Sequence, residues 1–199
     1  MTFHYSQPFE SLIEKAEDGD LLTSSRVVII GSESSGTTTL ARALAERYRT
    51  TWVPEYGRTY SEGRQYCGRP WRSDEFTHIA IEQARMEDAL ALLANGVLIC
   101  DTDPFATSIW HERYMGTSSD AVGAIVAGRH YDLYIVTDVN VPFVADDIRD
   151  GESFRQWMQG RFIEELSKKS TPMIVVSGPH EERLAAAVNR IDEMLARSG

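Results

Sequence analysis

The sequence is poor in several features that would each have indicated a different class of protein. It holds only two cysteines, Cys67 and Cys100, which lie far apart in the chain, so neither a disulfide framework nor a metal site built on cysteine is predicted. No apolar run approaches the roughly 20 residues that a membrane span requires, and the N-terminus has no secretory signal. These absences predict a cytoplasmic protein with free thiols and no membrane partner.

Positive charge is also scarce. The chain has 20 Lys and Arg residues against 30 Asp and Glu residues, which gives a formal net charge of −10. A protein whose main partner is nucleic acid needs a basic surface to meet the phosphate backbone. The balance therefore argues against nucleic acid and favours a small substrate that is neutral or cationic.

The length of 199 residues fits one α/β domain with a sizeable core. Residues 1–24 are predicted to be a polar lead-in with a short helix at 9–16, followed by the domain at 25–199. Strands alternating with helices predict a three-layer fold, with a five-stranded parallel sheet and helices on both faces. The predicted strands are 26–30, 51–54, 97–101, 133–138 and 173–177. The predicted helices are 38–48, 74–94, 104–115, 118–129, 152–168 and 181–196.

Residues 31–38 match the phosphate-binding loop pattern G-x-x-x-x-G-K-[ST] at every defining position except the lysine. A β-branched run precedes the loop and a helical pattern follows it, which is the context that the pattern requires. Thr38 is predicted to bind Mg²⁺, whereas Thr37 replaces the lysine with a hydroxyl that brings no charge. The alternative is a connection that only caps a helix. The candidate nucleotide-binding residues are Gly31, Ser34, Ser35, Gly36, Thr37, Thr38 and Thr39.

Two carboxylates follow the apolar run at 97–100. Asp101 ends a predicted strand beside the phosphate loop, where an aspartate commonly binds Mg²⁺ in nucleotide-binding domains. Asp103 lies two residues further, so it points the same way if the strand continues, and is predicted to face a sugar. The alternative for Asp103 is an N-cap before Pro104 at the start of a helix.

Glu55, Tyr56 and Arg58 follow the second predicted strand. In a kinase that acts on a hydroxyl group, a carboxylate here could orient or deprotonate the attacking oxygen, and an arginine could bind phosphate or substrate. Glu55 is therefore a catalytic candidate, and all three are candidates for substrate binding. An exposed Glu/Arg pair is the alternative.

These segments together resemble the ribosylnicotinamide kinase domain of NadR-type proteins. The resemblance rests on residues 31–38, 54–58 and 101–103, on Thr107 and Trp110, and on 76–80 with Gln83. It implies a P-loop kinase that uses ATP and Mg²⁺ to phosphorylate the 5′-hydroxyl of nicotinamide riboside (NR). Carried over by position, residues 31–38 would bind ATP, Asp101 would hold Mg²⁺, and Glu55 with Asp103 would face the ribose.

The acceptor's base carries a pyridinium cation, which stacks favourably on aromatic faces. Trp110 is the aromatic residue predicted to bind substrate. Tyr56, Trp71, Phe76 and Tyr114 lie near the motifs as well, although most aromatic residues at helical spacing belong to the core.

The chain departs from the NadR pattern in two ways. Full-length members carry an adenylyltransferase domain upstream, and the 30 residues before the loop are too few for one, so a kinase alone is expected. The second departure is Thr37. Arginines in a predicted lid at 141–166 could supply the missing charge on closure, with Arg149 and Arg155 as the catalytic candidates, Arg161 beside them and Arg129 as another source. The alternative is an ordinary charged surface helix.

Other functions remain open at this stage. The same fold could phosphorylate another small acceptor, because function depends on the site and not on the fold. Alternatively, the change to Thr37 could have left a nucleotide sensor or scaffold without catalysis. The sequence does not decide whether the chain forms a homo-oligomer.

Overall fold

Five parallel strands form one sheet in the computed structural model, which describes residues 24–139 and 152–198. The strand order is β2-β3-β1-β4-β5, and the sheet is the one that the sequence predicts. The strands are β1 Ser25–Gly31, β2 Trp52–Val53, β3 Val97–Asp101, β4 Leu133–Thr137 and β5 Met173–Val176. Because all strands are parallel, their carboxyl ends meet at one edge, where ligands bind in folds of this type.

Helices cover both faces of the sheet. They are α1 Thr37–Tyr48, α2 Tyr56–Arg64, α3 Ser73–Ala91, α4 Pro104–Met115, α5 Asp120–Ala127, α6 Glu152–Ser167 and α7 His180–Ser198, with a 3₁₀ turn at Gln65–Cys67. The predicted lead-in lies outside the described residues except for Ser24. The first part of the predicted lid, 141–151, also lies outside them, and its remainder is in α6.

The central strand β1 explains the layered core. Its apolar residues Val27 and Ile29 pack with α1 and α7 on one face, while Val28 and Ile30 pack with α4 and α6 on the other. All four side chains are at most 1% exposed. A run of β-branched residues buried on both faces is the pattern expected of a central parallel strand.

The pattern of apolar residues does not predict α2. Its sequence, YGRTYSEGR, contains two glycines, and none of its residues is buried. Without an apolar stripe there is no periodicity to detect in the sequence. The helix nevertheless matters, because it carries residues from the end of β2 along the edge of the sheet where the strands end.

Arg129 is not near the phosphate loop, which corrects the idea that it could replace the missing lysine. It precedes β4 and therefore lies at the opposite end of the sheet. There its Nη2 donates to Glu87 Oε2 at 2.8 Å and its Nη1 donates to Asp88 Oδ2 at 2.8 Å. Glu87, on α3, also accepts from the Tyr131 hydroxyl at 2.8 Å. Arg129 therefore fastens α3 to the segment that enters β4.

This buried ion pair yields a stability prediction. Glu87 is 0% exposed, so Glu87→Ala should leave Arg129 without its main buried partner and lower the free energy of unfolding by about 3 kcal/mol. The exposed pair between Arg85 and Glu82 on the same helix provides the control, and Glu82→Ala should cost less than about 1 kcal/mol. Denaturant unfolding measures both, and equal losses would show that Glu87 does no more than a surface carboxylate.

Candidate active site

The phosphate loop joins β1 to α1 in a tight curve. A side chain at Gly31 would lie 2.1 Å from Thr137 Oγ1 and 2.4 Å from Ser35 Oγ, so only glycine fits. Gly36, the residue before α1, has φ +86°, a conformation that glycine adopts without strain. Ser35 is 1% exposed, and its hydroxyl donates to Ser32 O at 2.6 Å. Its backbone N–H donates to the same oxygen at 3.2 Å, so Ser35 shapes the loop and is not a direct phosphate ligand in this conformation.

The N-terminus of α1 is suited to an anion. Its first turn, which begins at Thr37, contains no acidic residue, so the partial positive charge of the unpaired N–H groups is not offset. Thr37, Thr38 and Thr39 all line the adjoining pocket, as do Ser34 and Gly36. The loop therefore has the form of a phosphate site, and it holds no lysine.

The structure brings the two predicted metal ligands together. Thr38 Oγ1 donates to Asp101 Oδ2 at 2.6 Å at the carboxyl end of β3. Burial raises the pKa of Asp101, while hydrogen bonds from Thr38 and Thr37 lower it. A hydroxyl and a carboxylate side by side are hard oxygen donors that suit Mg²⁺, which usually takes few protein ligands and completes its shell with water and phosphate.

No group of three or more His, Cys, Asp and Glu side chains that could hold a metal occurs within residues 24–139 and 152–198. A magnesium ion at Thr38 and Asp101 would therefore depend on phosphate oxygens for the rest of its shell. The residues fit an ion that arrives together with a nucleotide.

A pocket of about 410 Å³ extends from the phosphate loop between α2, α3 and α4. This volume is within the usual range for a small-molecule site. Asp101 and the loop form one end, and aromatic residues form the other. The lining includes Glu55, Arg58, Ser61, Glu62, Arg64, Gln65, Trp71, Phe76, Ile79, Gln83, Thr102, Ala106, Thr107, Trp110, Tyr114 and Phe162.

The aromatic end is a connected set of rings. The ring centroid of Trp71 lies 5.0 Å from that of Phe76 and 5.3 Å from that of Tyr114. Trp110 stacks against Tyr114 at 6.1 Å. Arg64 lies over the Trp71 ring at 4.1 Å. Trp110, the predicted substrate residue, is thus part of a wall whose faces can receive a flat ring.

Glu55 lines the same pocket as the phosphate loop and the aromatic wall. It is the residue before α2, at the end of β2. The pKa of Glu55 is raised to about 7, mainly by burial and also by the negative charge of Asp101, while the positive charge of Arg58 opposes the rise. A carboxyl group that titrates near neutral pH can exchange a proton with a hydroxyl group.

Arg58 lies on α2 and lines the pocket. Its Nε contacts Glu62 Oε1 at 3.0 Å, and its side chain is 51% exposed. Tyr56 does not line this pocket. Its hydroxyl lies 3.0 Å from His78 Nε2 in an exposed contact. The expectation that Tyr56 binds substrate is therefore not supported by its position.

Asp103 is also outside the pocket, which corrects the expectation that it faces a sugar. It is 0% exposed. Its Oδ1 accepts from Ala106 N at 2.9 Å and its Oδ2 accepts from the Tyr134 hydroxyl at 2.7 Å. The backbone turns at Thr102, which has φ +78°, so the strand does not continue and the alternation fails. Asp103 is the N-cap of α4.

The described arginines of the predicted lid do not reach the pocket. Arg155 is 2% exposed, and its Nη2 donates to Val139 O at 3.2 Å. Arg161 pairs with Glu112 at 2.9 Å on the surface. Arg149 lies outside the described residues. Among the described residues of this segment, Phe162 is the pocket-lining residue.

Arg183 is a site residue that sequence reasoning missed. It lies in the first turns of α7 and is 4% exposed. Its Nη1 donates to Ser35 O at 2.6 Å, its Nε donates to Gly178 O at 2.7 Å, and its Nη2 donates to Asp138 O at 3.4 Å. The guanidinium therefore connects the phosphate loop to the segments that contain Gly178 and Asp138. No sequence signal marks it, because an arginine near a helix start usually faces solvent.

Residues 26–183 match the sequence model of a family described as an AAA domain, AAA_28. The Trifunctional NAD biosynthesis/regulator protein NadR of Salmonella typhimurium strain LT2 is 30% identical over 184 residues, which cover 87% of this chain and 43% of that protein. The protein of the same name from Escherichia coli K12 is 31% identical over 173 residues, covering 85% and 42%. These findings confirm the resemblance to NadR, although the chain spans less than half the length of both relatives.

Solved structures share the fold. A crystal structure of NadR in complex with NR has a TM-score of 0.69 at 19% identity, covering 87% of this chain and 52% of the other. NadR in complex with NAD and AMP-PNP has a TM-score of 0.66 at 18% identity, covering 87% and 50%. Thymidylate kinase from Ehrlichia chaffeensis has a TM-score of 0.62 at 13% identity, covering 85% and 98%. The predicted P-loop kinase fold is confirmed. Within the described part of the chain, no helix has the length and apolar character of a membrane span.

The raised pKa of Glu55 predicts a pH-dependent stability. Its pKa rises from 4.5 to about 7 on folding, so the folded chain binds this proton more tightly and loses stability as the pH rises through that interval. Glu55→Gln should therefore leave the Tm unchanged near pH 4 and raise it relative to the unsubstituted protein at pH 8. Glu46→Gln, on the exposed face of α1, controls for removing a negative charge. A Tm difference that stays constant with pH would contradict the raised pKa of Glu55.

Proposed function

Because the chain belongs to the AAA domain family, AAA_28, we propose that it is a kinase that transfers the γ-phosphoryl group of ATP to the 5′-hydroxyl of nicotinamide riboside. The observation that carries the proposal is the set of groups that line one pocket. They are the phosphate loop, a carboxyl group whose pKa is raised to about 7, and the aromatic wall.

The nucleotide end needs little beyond positioning and charge. Backbone N–H groups of the loop and the start of α1 would hold the phosphates, and Thr38 with Asp101 would hold Mg²⁺. When bound there, Mg²⁺ offsets negative charge on the phosphate oxygens. Arg183 keeps the loop in place by donating to Ser35 O. The AMP-PNP in one of the NadR structures supports ATP as the donor.

Glu55 is proposed to act on the acceptor. A hydroxyl group placed between Glu55 and the phosphate loop would donate its hydrogen bond to the carboxylate. It would pass its proton to Glu55 as its oxygen bonds to the γ-phosphorus and the bond from that phosphorus to the bridging oxygen breaks, which releases ADP. A pKa near 7 suits this role, because the group is substantially ionised at neutral pH and still basic enough to accept the proton.

The aromatic wall is proposed to bind the base. Trp71, Trp110 and Tyr114 present π faces, and a pyridinium cation is attracted to such faces once water is excluded. Glu62 also lines the pocket, where its carboxylate already pairs with Arg58. The NR in the other NadR complex supports a nucleoside with a cationic base as the acceptor.

Arg58 is proposed to supply part of the charge that the lysine would have brought. It is the arginine of α2 closest in sequence to Glu55 that lines the pocket, and its influence lowers the pKa of both Glu55 and Asp101. The contribution of Arg149, which lies outside the described residues, remains a prediction, whereas Arg155 donates to Val139 O and does not line the pocket.

A pocket with the same lining groups could also bind another nucleoside or small acceptor. Thymidylate kinase shares the fold over 98% of its length, so the acceptor has to be identified by assay. A sensor that binds ATP without turnover is the alternative that Thr37 favours.

Product formation decides between these functions. Incubation with Mg²⁺, ATP and nicotinamide riboside should give nicotinamide mononucleotide, detected by mass spectrometry, and Asp101→Asn should lower kcat by about 10³-fold without changing the fold. Asp120→Asn, on the exposed start of α5, should retain activity. If the protein phosphorylates a different nucleoside and not nicotinamide riboside, that nucleoside is the acceptor. ATP binding without any product would establish that the protein is a sensor.

The role of Arg58 makes a separate prediction. Arg58→Ala should lower kcat by about 10³-fold, as loss of an arginine that stabilises transferring phosphate does. Arg58→Lys should recover part of this loss because it restores the charge, and Arg85→Ala on the solvent face of α3 serves as the control. If Arg58→Ala stays within a few-fold of the unsubstituted enzyme, Arg58 does not supply the compensating charge.

A further inference from the structure

Gln83 is a buried amide that the proposed reaction has not yet used. It lies on α3, lines the pocket and is 1% exposed. Its Oε1 accepts a hydrogen bond from Tyr56 N at 2.9 Å. Its Nε2 has no hydrogen-bond partner among the described residues. The oxygen of the amide thus has a hydrogen-bond partner, and the nitrogen does not.

The orientation of this amide follows from its partner. A backbone N–H can only donate, so the atom of Gln83 that faces Tyr56 N has to be the oxygen. Flipping the amide would place two donors against each other. The NH₂ group is therefore fixed as a donor on the side of the amide away from Tyr56 N.

Gln83 lines the part of the pocket that lies away from the aromatic wall. Phe76, also on α3, belongs to the aromatic wall, because it stacks on Tyr114 at 5.9 Å. Gln83 is seven residues beyond Phe76, which is two helical turns or about 10 Å. Its bonded partner Tyr56 directly follows Glu55. Gln83 is thus beside Glu55, the proposed proton acceptor, and about 10 Å along α3 from Phe76 of the aromatic wall.

We propose that Gln83 determines specificity for the sugar, by donating from Nε2 to a ribose hydroxyl oxygen of the acceptor. A buried donor without a partner is unfavourable, and a ligand oxygen at this position would satisfy it. The base is excluded as the partner, because it would lie two turns away at the aromatic wall. The inference rests on the proposed function, since it assumes a nucleoside in this pocket.

The consequence is discrimination against deoxynucleosides. An analogue that lacks the partner hydroxyl would leave the Gln83 donor unpaired, and sites built to pair a substrate hydroxyl reject analogues without it. Removal of the partner hydroxyl, which is either the 2′- or the 3′-hydroxyl, should then lower kcat/KM by about 10- to 100-fold in the unsubstituted enzyme.

A cycle of variants and analogues tests this contact. kcat/KM is measured for nicotinamide riboside and its 2′-deoxy and 3′-deoxy analogues with the unsubstituted enzyme and with Gln83→Met, which has a similar volume and no donor. The analogue that loses 10- to 100-fold with the unsubstituted enzyme should lose less than about threefold with Gln83→Met, because the contact is already absent. Equal penalties in both proteins would overturn the proposal and leave Gln83 a purely structural role at Tyr56 N.

Two further measurements keep the test decisive. If Gln83→Met does not fold, Gln83→Glu at pH 9 replaces it, since an ionised carboxylate still accepts from Tyr56 N but cannot donate. Arg85→Met on the solvent face of the same helix should reproduce the unsubstituted penalties.

Failure of the proposed function is distinguishable from failure of this contact. If nicotinamide riboside binds without being phosphorylated, the same cycle is run on Kd from the fluorescence of Trp71 and Trp110, and the contact is judged there. If phosphorylation occurs and the penalties are equal, the proposed function stands and the Gln83 contact does not. If neither riboside nor analogue binds, both are overturned.

Discussion

The site depends on the close packing between Gly31 and Thr137 at the carboxyl ends of two neighbouring strands. A Cβ at Gly31 would lie 2.1 Å from Thr137 Oγ1, so the missing side chain lets the chain turn sharply out of β1. The turn brings Ser35 Oγ to 2.7 Å from Thr137 Oγ1 and begins α1 directly above the sheet. Thr38 then reaches Asp101 on the other side of β1. The nucleotide end of the pocket thus follows from one glycine between strands β3 and β4.

Sequence alone was sufficient where the physical signal is local or periodic. The apolar runs predict the strands, and the glycine spacing predicts the loop. Prediction failed where the outcome depends on tertiary contacts. The alternation from Asp101 to Asp103 is broken by a single turn at Thr102, and α2 has no apolar stripe. Arg129 and Arg155 carry the expected charge but are committed to partners elsewhere. Arg183 acts on backbone atoms that the fold brings near, and the hydrogen bond from Tyr56 N that orients Gln83 also depends on the fold, so no spacing in the sequence reveals either contact.

The electrostatics of the pocket reflect a compromise between stability and chemistry. Glu55 and Asp101 are both carboxylates with raised pKa values, and they face one pocket without a loop lysine between them. Such an arrangement destabilises the empty protein at neutral pH and favours the entry of cations. Magnesium and a pyridinium ring are both cations. The ligands of the proposed reaction would therefore reduce the electrostatic repulsion between the carboxylates of Glu55 and Asp101. The net charge of −10 acts in the same direction.

The central claim is that one pocket holds both substrates in line, with Glu55 between them. A crystal structure of the ternary complex with AMP-PNP, Mg²⁺ and nicotinamide riboside tests it most directly. The account predicts the γ-phosphate at the loop, the 5′-hydroxyl oxygen within about 3 Å of a Glu55 carboxylate oxygen, and the base against Trp110. A nucleoside bound with its base at the loop, or with its 5′-hydroxyl away from Glu55, would contradict the account.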